Sequence, residues 1–474
     1  MELFGDSYGF ILNLYMNICS YIVMTKKINH LIINIMYYFN KRFLLILAYI
    51  TISHMVFAQM NSVQINYETY IQKVKQSNLQ AKLAQSNYDI AKKDVDQSKS
   101  LFLPNLGLSY TGIMTNSPLM AFGTKLNQKS VTMQDFDPTS LNNPDAIHNF
   151  NTKIEVQQPL INIDGYFGRL AAKSKEVATR LQAERTKEYI ELEAYKAYLM
   201  LQLAYRAEEV LQRADKTGDE NLKLVENYNK QGMIQKSDLL NAMVRVQEIK
   251  NQYQSAKTNI SNASDYLGFL MNEQGGKIYK PLESIDTQIV HEVFDTILNS
   301  NRKDIQAMEG ASDAYKNMYQ MAQYNIIPRL NAFGAFEMND KNVVGFGASN
   351  YLIGVQLAWN IFDGNKSISK TQKSKLEYVK SKDEIELYKS QNQLELNKTI
   401  RQLLDYSAKV QLSKMALIQS KESYTIRKNR FNQGLEKTSD LLQSETLMYQ
   451  KELEHLQAIF EYNFTKKYLQ FLTH

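Results

Sequence analysis

A succession of short motifs occurs twice in this chain, and the two copies constrain most of what the chain can fold into. Residues 158–165 read QPLINIDG, and residues 357–364 read LAWNIFDG. Each motif opens a long run that ends at a glycine, Gly232 or Gly434, and SDLL follows each glycine at one offset of 202 residues. The repetition predicts that a strand, a very long helix and a tight reversal are each built twice.

The seven prolines leave two long windows open for uninterrupted helix. None lies between residues 160 and 280, and none follows Pro328. Because proline breaks helix interiors, we expect helices over 166–230 and 365–432, each roughly 100 Å long at 1.5 Å per residue. Return helices are expected over about 237–271 and 439–471. Apolar residues at three-, four- and seven-residue spacings favour antiparallel coiled-coil packing.

The ends of these helices carry residues with the chemistry of caps. The expected N-caps of the four helices are Asp164, Asp363, Ser237 and Ser439. Gly232 and Gly434 suit the left-handed residue that follows a helix. Asp238 and Asp440 are favoured in the first turn of each return helix, where the helix dipole attracts negative charge.

Alternating apolar and polar residues predict four strands, at about 104–114, 150–160, 328–338 and 351–362. LPNL at 103–106 and IPRL at 327–330 mark helix-to-strand switches, because proline forces the residue before it into extended geometry. The strands should form two hairpins, the first joined by a long outer loop over 115–148. Their length suits transmembrane strands, with a soluble β-sandwich as the alternative. Four strands cannot close a barrel, so membrane insertion requires several chains to pool their strands.

The N-terminal residues suggest a secretion signal. Residues 36–58 combine Lys41 and Arg42, an apolar stretch and a cleavage site after Ala58, as in a signal peptide; an N-terminal membrane anchor is the alternative. Residues 1–35 are interpreted either as residues wrongly included upstream of the true start, Met36, or as a disordered leader. We expect two repeats in the remaining chain, over 59–281 and 282–474.

Composition argues against several classes of function. The formal net charge of +6 is small for 474 residues. It therefore gives no electrostatic reason to expect a nucleic-acid partner. The one cysteine, Cys19, precedes the mature chain. The sequence contains no nucleophile elbow, phosphate loop or HExxH helix. We therefore expect no catalytic residue, no cofactor and no metal.

Taken in order, the duplicated switches, strand-to-helix joints and glycine–SDLL reversals resemble those of the outer membrane efflux protein family, the TolC-like exit ducts. The resemblance implies a mainly α fold with a small β part. Long antiparallel coiled-coil helices and four transmembrane strands per chain would form a trimeric α/β-barrel duct from two structural repeats. Its partners would be outer-membrane lipid, a periplasmic adaptor and an inner-membrane pump of RND or ABC type.

The resemblance also implies functional positions. Asp440 matches the acidic pore aperture of the family, and Gln443 stands where a second acid occurs; Asp238 is a further aperture candidate. The expected adaptor contacts at the helix tips are Gly232, Met233, Gly434 and Leu435. Trp359 is expected to anchor the chain at the membrane interface.

Two further positions depart from the family pattern. Phe431 and Glu436 stand where some relatives carry a tyrosine and an arginine that hold the tip closed. The contacts that close the tip must therefore differ in this chain.

The expected function is a passive outer-membrane channel that extends into the periplasm. It would serve as the exit duct of a tripartite efflux or type I secretion system. The alternative is a periplasmic coiled-coil adaptor or chaperone without a barrel. That alternative explains the helices but leaves the apolar face of the strand at 351–361 without a partner.

Overall fold

Long helices and a small sheet make up the chain, for which the computed structural model describes residues 62–289 and 296–474. The helices are α1 (Tyr67–Ser77), α2 (Leu79–Ser98), α3 (Pro118–Asn127), α4 (Pro138–Asn142), α5 (Ile163–Lys230), α6 (Lys236–Leu270), α7 (Lys303–Tyr324), α8 (Lys366–Asn432) and α9 (Thr438–Thr473). The strands are β1 (Val63–Ile65), β2 (Asn105–Thr115), β3 (Ile147–Ile161), β4 (Tyr279–Pro281), β5 (Arg329–Asp340) and β6 (Ala348–Ala358). The interpretations of residues 1–35 and 36–58 fall outside the described residues.

The prediction of a mainly helical chain with a small sheet is confirmed. Helix α5 has 68 residues and α8 has 67, so each is about 100 Å long. The return helices α6 and α9 begin within one residue of their expected starts. No helix in the two described ranges combines the length and the apolar character that a membrane span requires.

The predicted cap of α5 is wrong, and a tertiary contact explains why. Asn162, not Asp164, caps α5, because its side-chain oxygen accepts the Gly165 N–H at 3.1 Å. Asp164 is the second residue of the helix, within its first turn, and forms an ion pair with Arg329 at the start of β5. In α8 the N-cap residue is Asn365, not Asp363. Asp363 lies two residues earlier, but its side chain still accepts the first-turn N–H of Ser367 at 3.0 Å.

The two return helices also begin earlier than the serine caps require. Gln235 and Lys437 occupy the cap positions in extended geometry, and neither makes a side-chain cap bond. Ser237 and Ser439 therefore lie inside the first turn. Asp238 and Asp440 lie in that turn too, as predicted.

The central sheet has four antiparallel strands in the order β2-β3-β5-β6. The pairs β2–β3 and β5–β6 are the predicted hairpins, and β3 pairs with β5 to join them. Strand β6 ends at Ala358, not near 362, because its partner β5 begins at Arg329 directly after Pro328. Proline has no N–H with which to extend the ladder.

The two faces of this sheet differ in chemistry. The register places these apolar side chains on one face: Leu106, Leu108, Tyr110, Ile154, Val156, Phe336, Tyr351, Ile353, Val355 and Leu357. The opposite, polar face carries Asn151, Lys153, Glu155, Gln157, Glu337, Asn339, Asn350 and Gln356. These ten apolar side chains are each at least 38% exposed in the single chain. A continuous apolar face of this kind marks an interaction surface.

The long helices bury their apolar residues in several clusters. Residues 64–474 form one compact unit. The cluster that includes Val225 of α5, Ile249 of α6, Phe431 of α8 and Leu441 of α9 joins all four long helices. Because these four residues lie toward the reversals at Gly232 and Gly434, the cluster holds two helical hairpins together near their tips.

Candidate functional site

Both helical hairpins end in the same backbone motif. Gly232 has φ of +74° and Gly434 has φ of +72°, as the prediction of left-handed glycines requires. The N–H of Met233 donates to the carbonyl of Tyr228 at 2.9 Å, and the N–H of Leu435 donates to that of Arg430 at 2.9 Å. These six-residue bonds define the Schellman motif, which satisfies carbonyls that a helix end leaves free.

The residues at the two tips are open to contact. Met233 is 69% exposed and Leu435 is 64% exposed. Apart from the two chain neighbours, no heavy atom of the described residues lies within 4 Å of the position that a Cβ would occupy at Gly232 or Gly434. Each tip therefore presents bare backbone beside an apolar side chain.

Aromatic side chains hold the two tips to each other. The Tyr228 hydroxyl donates to the carbonyl of Asn432 at 3.1 Å, and its ring centroid lies 5.4 Å from that of Phe431. Phe431 is only 2% exposed. Phe431, at the position where some relatives carry a tyrosine that closes the tip, is thus part of the hydrophobic core.

A cluster of charges lies beside the second tip. Nη1 of Arg427 lies 2.9 Å from Oε1 of Glu436, and Nε of Arg430 lies 3.0 Å from Oε2. Asp440 contacts the same Arg427 at 3.8 Å. Sequence reasoning noted Glu436 but missed the two arginines, although opposite charges on either side of Gly434 were a usable signal. Three ion pairs within one chain thus link the end of α8 to Glu436 and to the start of α9.

The three aperture candidates occupy different surroundings. Asp440 and Gln443 lie one turn apart on α9, so they share a side of that helix. Gln443 is exposed, and Asp440 is half-exposed beside Arg427. Asp238 lies in the first turn of α6, in the other hairpin. A pore-facing role for these residues stays a prediction.

A carboxyl group is buried among the four helices above the tips. Glu445 of α9 is fully buried, and one of its oxygens accepts the Asn221 side-chain N–H at 2.6 Å. Its other oxygen has no hydrogen-bond partner among the described residues. Burial raises the pKa of Glu445 despite the charges of Arg245 and Lys428. Burial thus makes the charged form of Glu445 less favourable than in water, a feature that the polar SDLLQSE sequence did not reveal.

A second buried polar cluster secures the far end of α9. Asp304 accepts hydrogen bonds from Arg185 at 3.2 Å, from Arg302 at 2.5 Å and from the Tyr388 hydroxyl at 2.9 Å. Arg185 and Arg302 also donate to the last carbonyls of α9, those of Phe471 and Leu472. Burial opposes the charge of Asp304, but the two guanidinium groups outweigh it and lower the pKa of the carboxyl. This cluster ties α5, α7, α8 and α9 together.

Trp359 lies just beyond the end of β6. Its indole N–H donates to the carbonyl of Ile326 at 3.0 Å, and the residue remains 58% exposed. An exposed ring with a satisfied N–H at the edge of an apolar sheet face is compatible with the predicted membrane-interface role. That role stays a prediction. Within the described ranges, no group of three histidine, cysteine or acidic residues forms a candidate metal site.

Comparison with known proteins agrees with this architecture. The family model described as Outer membrane efflux protein matches residues 297–467. No curated protein sequence matches the chain. Among solved structures, the outer membrane protein VceC from Vibrio cholerae is 14% identical with a TM-score of 0.70, covering 85% of this chain and 95% of its own.

Two further solved structures share the fold. The Campylobacter jejuni CmeC outer membrane channel is 17% identical with a TM-score of 0.69, covering 86% of this chain and 85% of its own. The open state of the Neisseria gonorrhoeae MtrE outer membrane channel is 15% identical with a TM-score of 0.70, covering 88% of this chain and 93% of its own. Residues 297–467 thus match the outer membrane efflux protein family, and most of the chain shares the fold of these outer-membrane channel structures.

Proposed function

We propose that three copies of this chain form a passive exit duct in the outer membrane. Each chain would contribute β2, β3, β5 and β6 to a twelve-stranded barrel. The observation that carries the proposal is the sheet with one exposed apolar face, one polar face and two unpaired edges, β2 and β6. Lipid would cover the apolar face, and neighbouring chains would satisfy the edges, which an open sheet in a bilayer cannot leave free.

The long helices support the periplasmic part of the proposal. Helices α5 and α8 both leave the same end of the sheet and run for about 100 Å to the glycine tips. We infer that three pairs of hairpins, built from two repeats per chain, form a tube across the periplasm. Gly232, Met233, Gly434 and Leu435 would then meet a periplasmic adaptor, and an inner-membrane pump of RND or ABC type would drive cargo through the tube.

Fractionation followed by bilayer recording tests the duct. Cells expressing the chain should carry it in the outer membrane, and the protein extracted in mild detergent should be a trimer. That trimer should conduct ions when added to a planar bilayer. A water-soluble periplasmic monomer or dimer would instead support the coiled-coil adaptor or chaperone.

Asp440→Asn is expected to reduce the cation preference of the conducting trimer. Three Asp440 side chains around one axis would attract cations, whereas three amides would not. The ratio of K⁺ to Cl⁻ permeability should fall by about threefold, equivalent to ~0.7 kcal/mol of lost attraction. Reversal potentials in a KCl gradient measure this ratio.

Asp238→Asn is the matched control, because it removes the equivalent first-turn acid from the other hairpin. If the K⁺ to Cl⁻ permeability ratio falls for Asp440→Asn but not for Asp238→Asn, the aperture lies at the second hairpin. If Asp440→Asn leaves the ratio unchanged, Asp440 does not line the narrow part of the pore.

A further inference from the structure

The connection between β2 and β3 contains a helix with an unusual position. The sequence suggested an outer loop over 115–148, and the structure places α3 and α4 within it. This connection lies at the end of the sheet opposite to the one from which α5 and α8 depart, because antiparallel strands alternate in direction. In the proposed duct, that end opens to the outside of the cell.

Helix α3 contacts the polar face of the sheet through its C-terminal end. The Gln128 side chain, directly after α3, donates to Oδ1 of Asn149 at 2.9 Å and to the carbonyl of His148 at 2.8 Å. From the other hairpin, Asn350 donates to the carbonyl of Asn127 at 3.3 Å. The register places both Asn149 and Asn350 on the polar face. The C-terminal end of α3 therefore contacts both β3 and β6 on that face.

The helical repeat then determines where the remaining side chains point. Ala121 and Thr124 are buried and share one side of α3 with Gln128, which contacts the sheet. Leu119 and Leu126 lie on the opposite side and are 85% and 52% exposed. Gly123 lies between them, facing open space. An apolar stripe on α3 thus points away from the sheet.

The stripe is held in place rather than free to swing. Nζ of Lys125 lies 2.5 Å from Oδ1 of Asp135, whose other oxygen accepts the N–H of Thr132. The rings of Phe122 and Phe136 pack edge to face with centroids 5.5 Å apart. These contacts fasten α3 to the short 3-10 helix Met133–Phe136 that follows it.

We propose that the Leu119–Gly123–Leu126 stripe forms an apolar constriction at the outer mouth of the duct. The proposal rests on the proposed function, in which the apolar sheet face meets lipid and the polar face lines the lumen. Helix α3 then stands inside the barrel, and three stripes face the common axis. A hydrophobic ring in an aqueous pore resists wetting and slows hydrated ions. The constriction therefore favours amphipathic or apolar cargo over small ions.

Single-channel recording in KCl tests the constriction. The double variant Leu119→Ser/Leu126→Ser should raise conductance by about twofold or more, because hydroxyl groups wet the ring. The matched control is Val343→Ser/Val344→Ser in the other outer loop, where both valines are also exposed, at 60% and 82%. This control should conduct as the unmodified trimer does. Equal conductance of both double variants and the unmodified trimer would overturn the constriction.

Thiol modification provides an independent measurement. The only natural cysteine is Cys19, so Leu119→Cys in residues 36–474 introduces a unique thiol. A charged methanethiosulfonate added to the outer side should change the conductance of Leu119→Cys channels and leave Val344→Cys channels unchanged. Modification of Leu119→Cys without a change in current would overturn the proposal.

The two proposals fail in different ways. If the unmodified chain forms no conducting trimer, the duct itself is wrong. If it conducts but the α3 variants behave like the Val343 and Val344 variants, the duct stands and the constriction does not exist.

Discussion

Asp304→Asn is expected to lower the free energy of unfolding by about 3–5 kcal/mol at neutral pH, as breaking a buried ion pair does. The carboxylate is the shared acceptor for Arg185 and Arg302, whose side chains are only 6% and 1% exposed. An amide has one acceptor oxygen and no charge, so Arg302 would stay buried without its counter-ion. Arg185 would keep only its ion pair with Glu188. Urea unfolding of the detergent-extracted protein, followed by helical circular dichroism, measures the loss.

The effect of Asp304→Asn should depend on pH. Because the folded-state pKa of Asp304 is lowered, its carboxylate stabilises the fold above the unfolded-state pKa. That contribution is lost as the pH falls through the lower, folded-state pKa. The difference between the natural protein and Asp304→Asn should therefore shrink below about pH 4.

Asp313→Asn is the control for Asp304→Asn, because Asp313 lies on the same helix and is exposed. It should change the free energy of unfolding by less than about 0.5 kcal/mol. Similar losses for Asp304→Asn and Asp313→Asn would show that the buried cluster does not stabilise the fold.

Ile353→Lys is expected to prevent stable insertion of the chain into the outer membrane. Ile353 lies at the middle of β6 on the apolar face and is 78% exposed. A lysine facing the middle of a bilayer costs about 2–4 kcal/mol in each chain. The amount of trimer in outer-membrane fractions, compared by immunoblotting, should fall sharply.

Leu352→Lys is a closely matched control for Ile353→Lys. Leu352 is the neighbouring residue, is also aliphatic and is 61% exposed, but the register places it on the polar face. Its lysine would face the water-filled lumen, so the trimer should insert at normal levels. Equal insertion of both variants would contradict the assignment of the apolar face to lipid.

Much of the secondary structure was predictable because it depends on local interactions. The proline-free windows are occupied by α5 and α8, since each helical hydrogen bond spans only four residues. The reversals at Gly232 and Gly434 follow from the low cost of positive φ at glycine. Each hairpin joins strands that are neighbours in sequence, so alternation alone located β2 with β3 and β5 with β6.

The wrong prediction for Asp164 arose because a residue distant in sequence binds a side chain that was expected to make a local contact. Asp164 had the chemistry of a cap, yet Arg329 engages it from 165 positions away and Asn162 takes the cap instead. Likewise, Phe431 was identified only by its place in a family pattern. Its role in the core depends on Tyr228 from the other hairpin.

Sequence patterns were enough to locate the long helices, the two glycine reversals, the four strands and the resemblance to outer-membrane efflux proteins. The buried charges and the position of α3 emerged from long-range packing alone. Arg185 and Asp304 are 119 residues apart, and Asn127 and Asn350 are 223 apart. A polar side chain looks the same in sequence whether water or another helix surrounds it. Its energetic role therefore depends on which segments pack together.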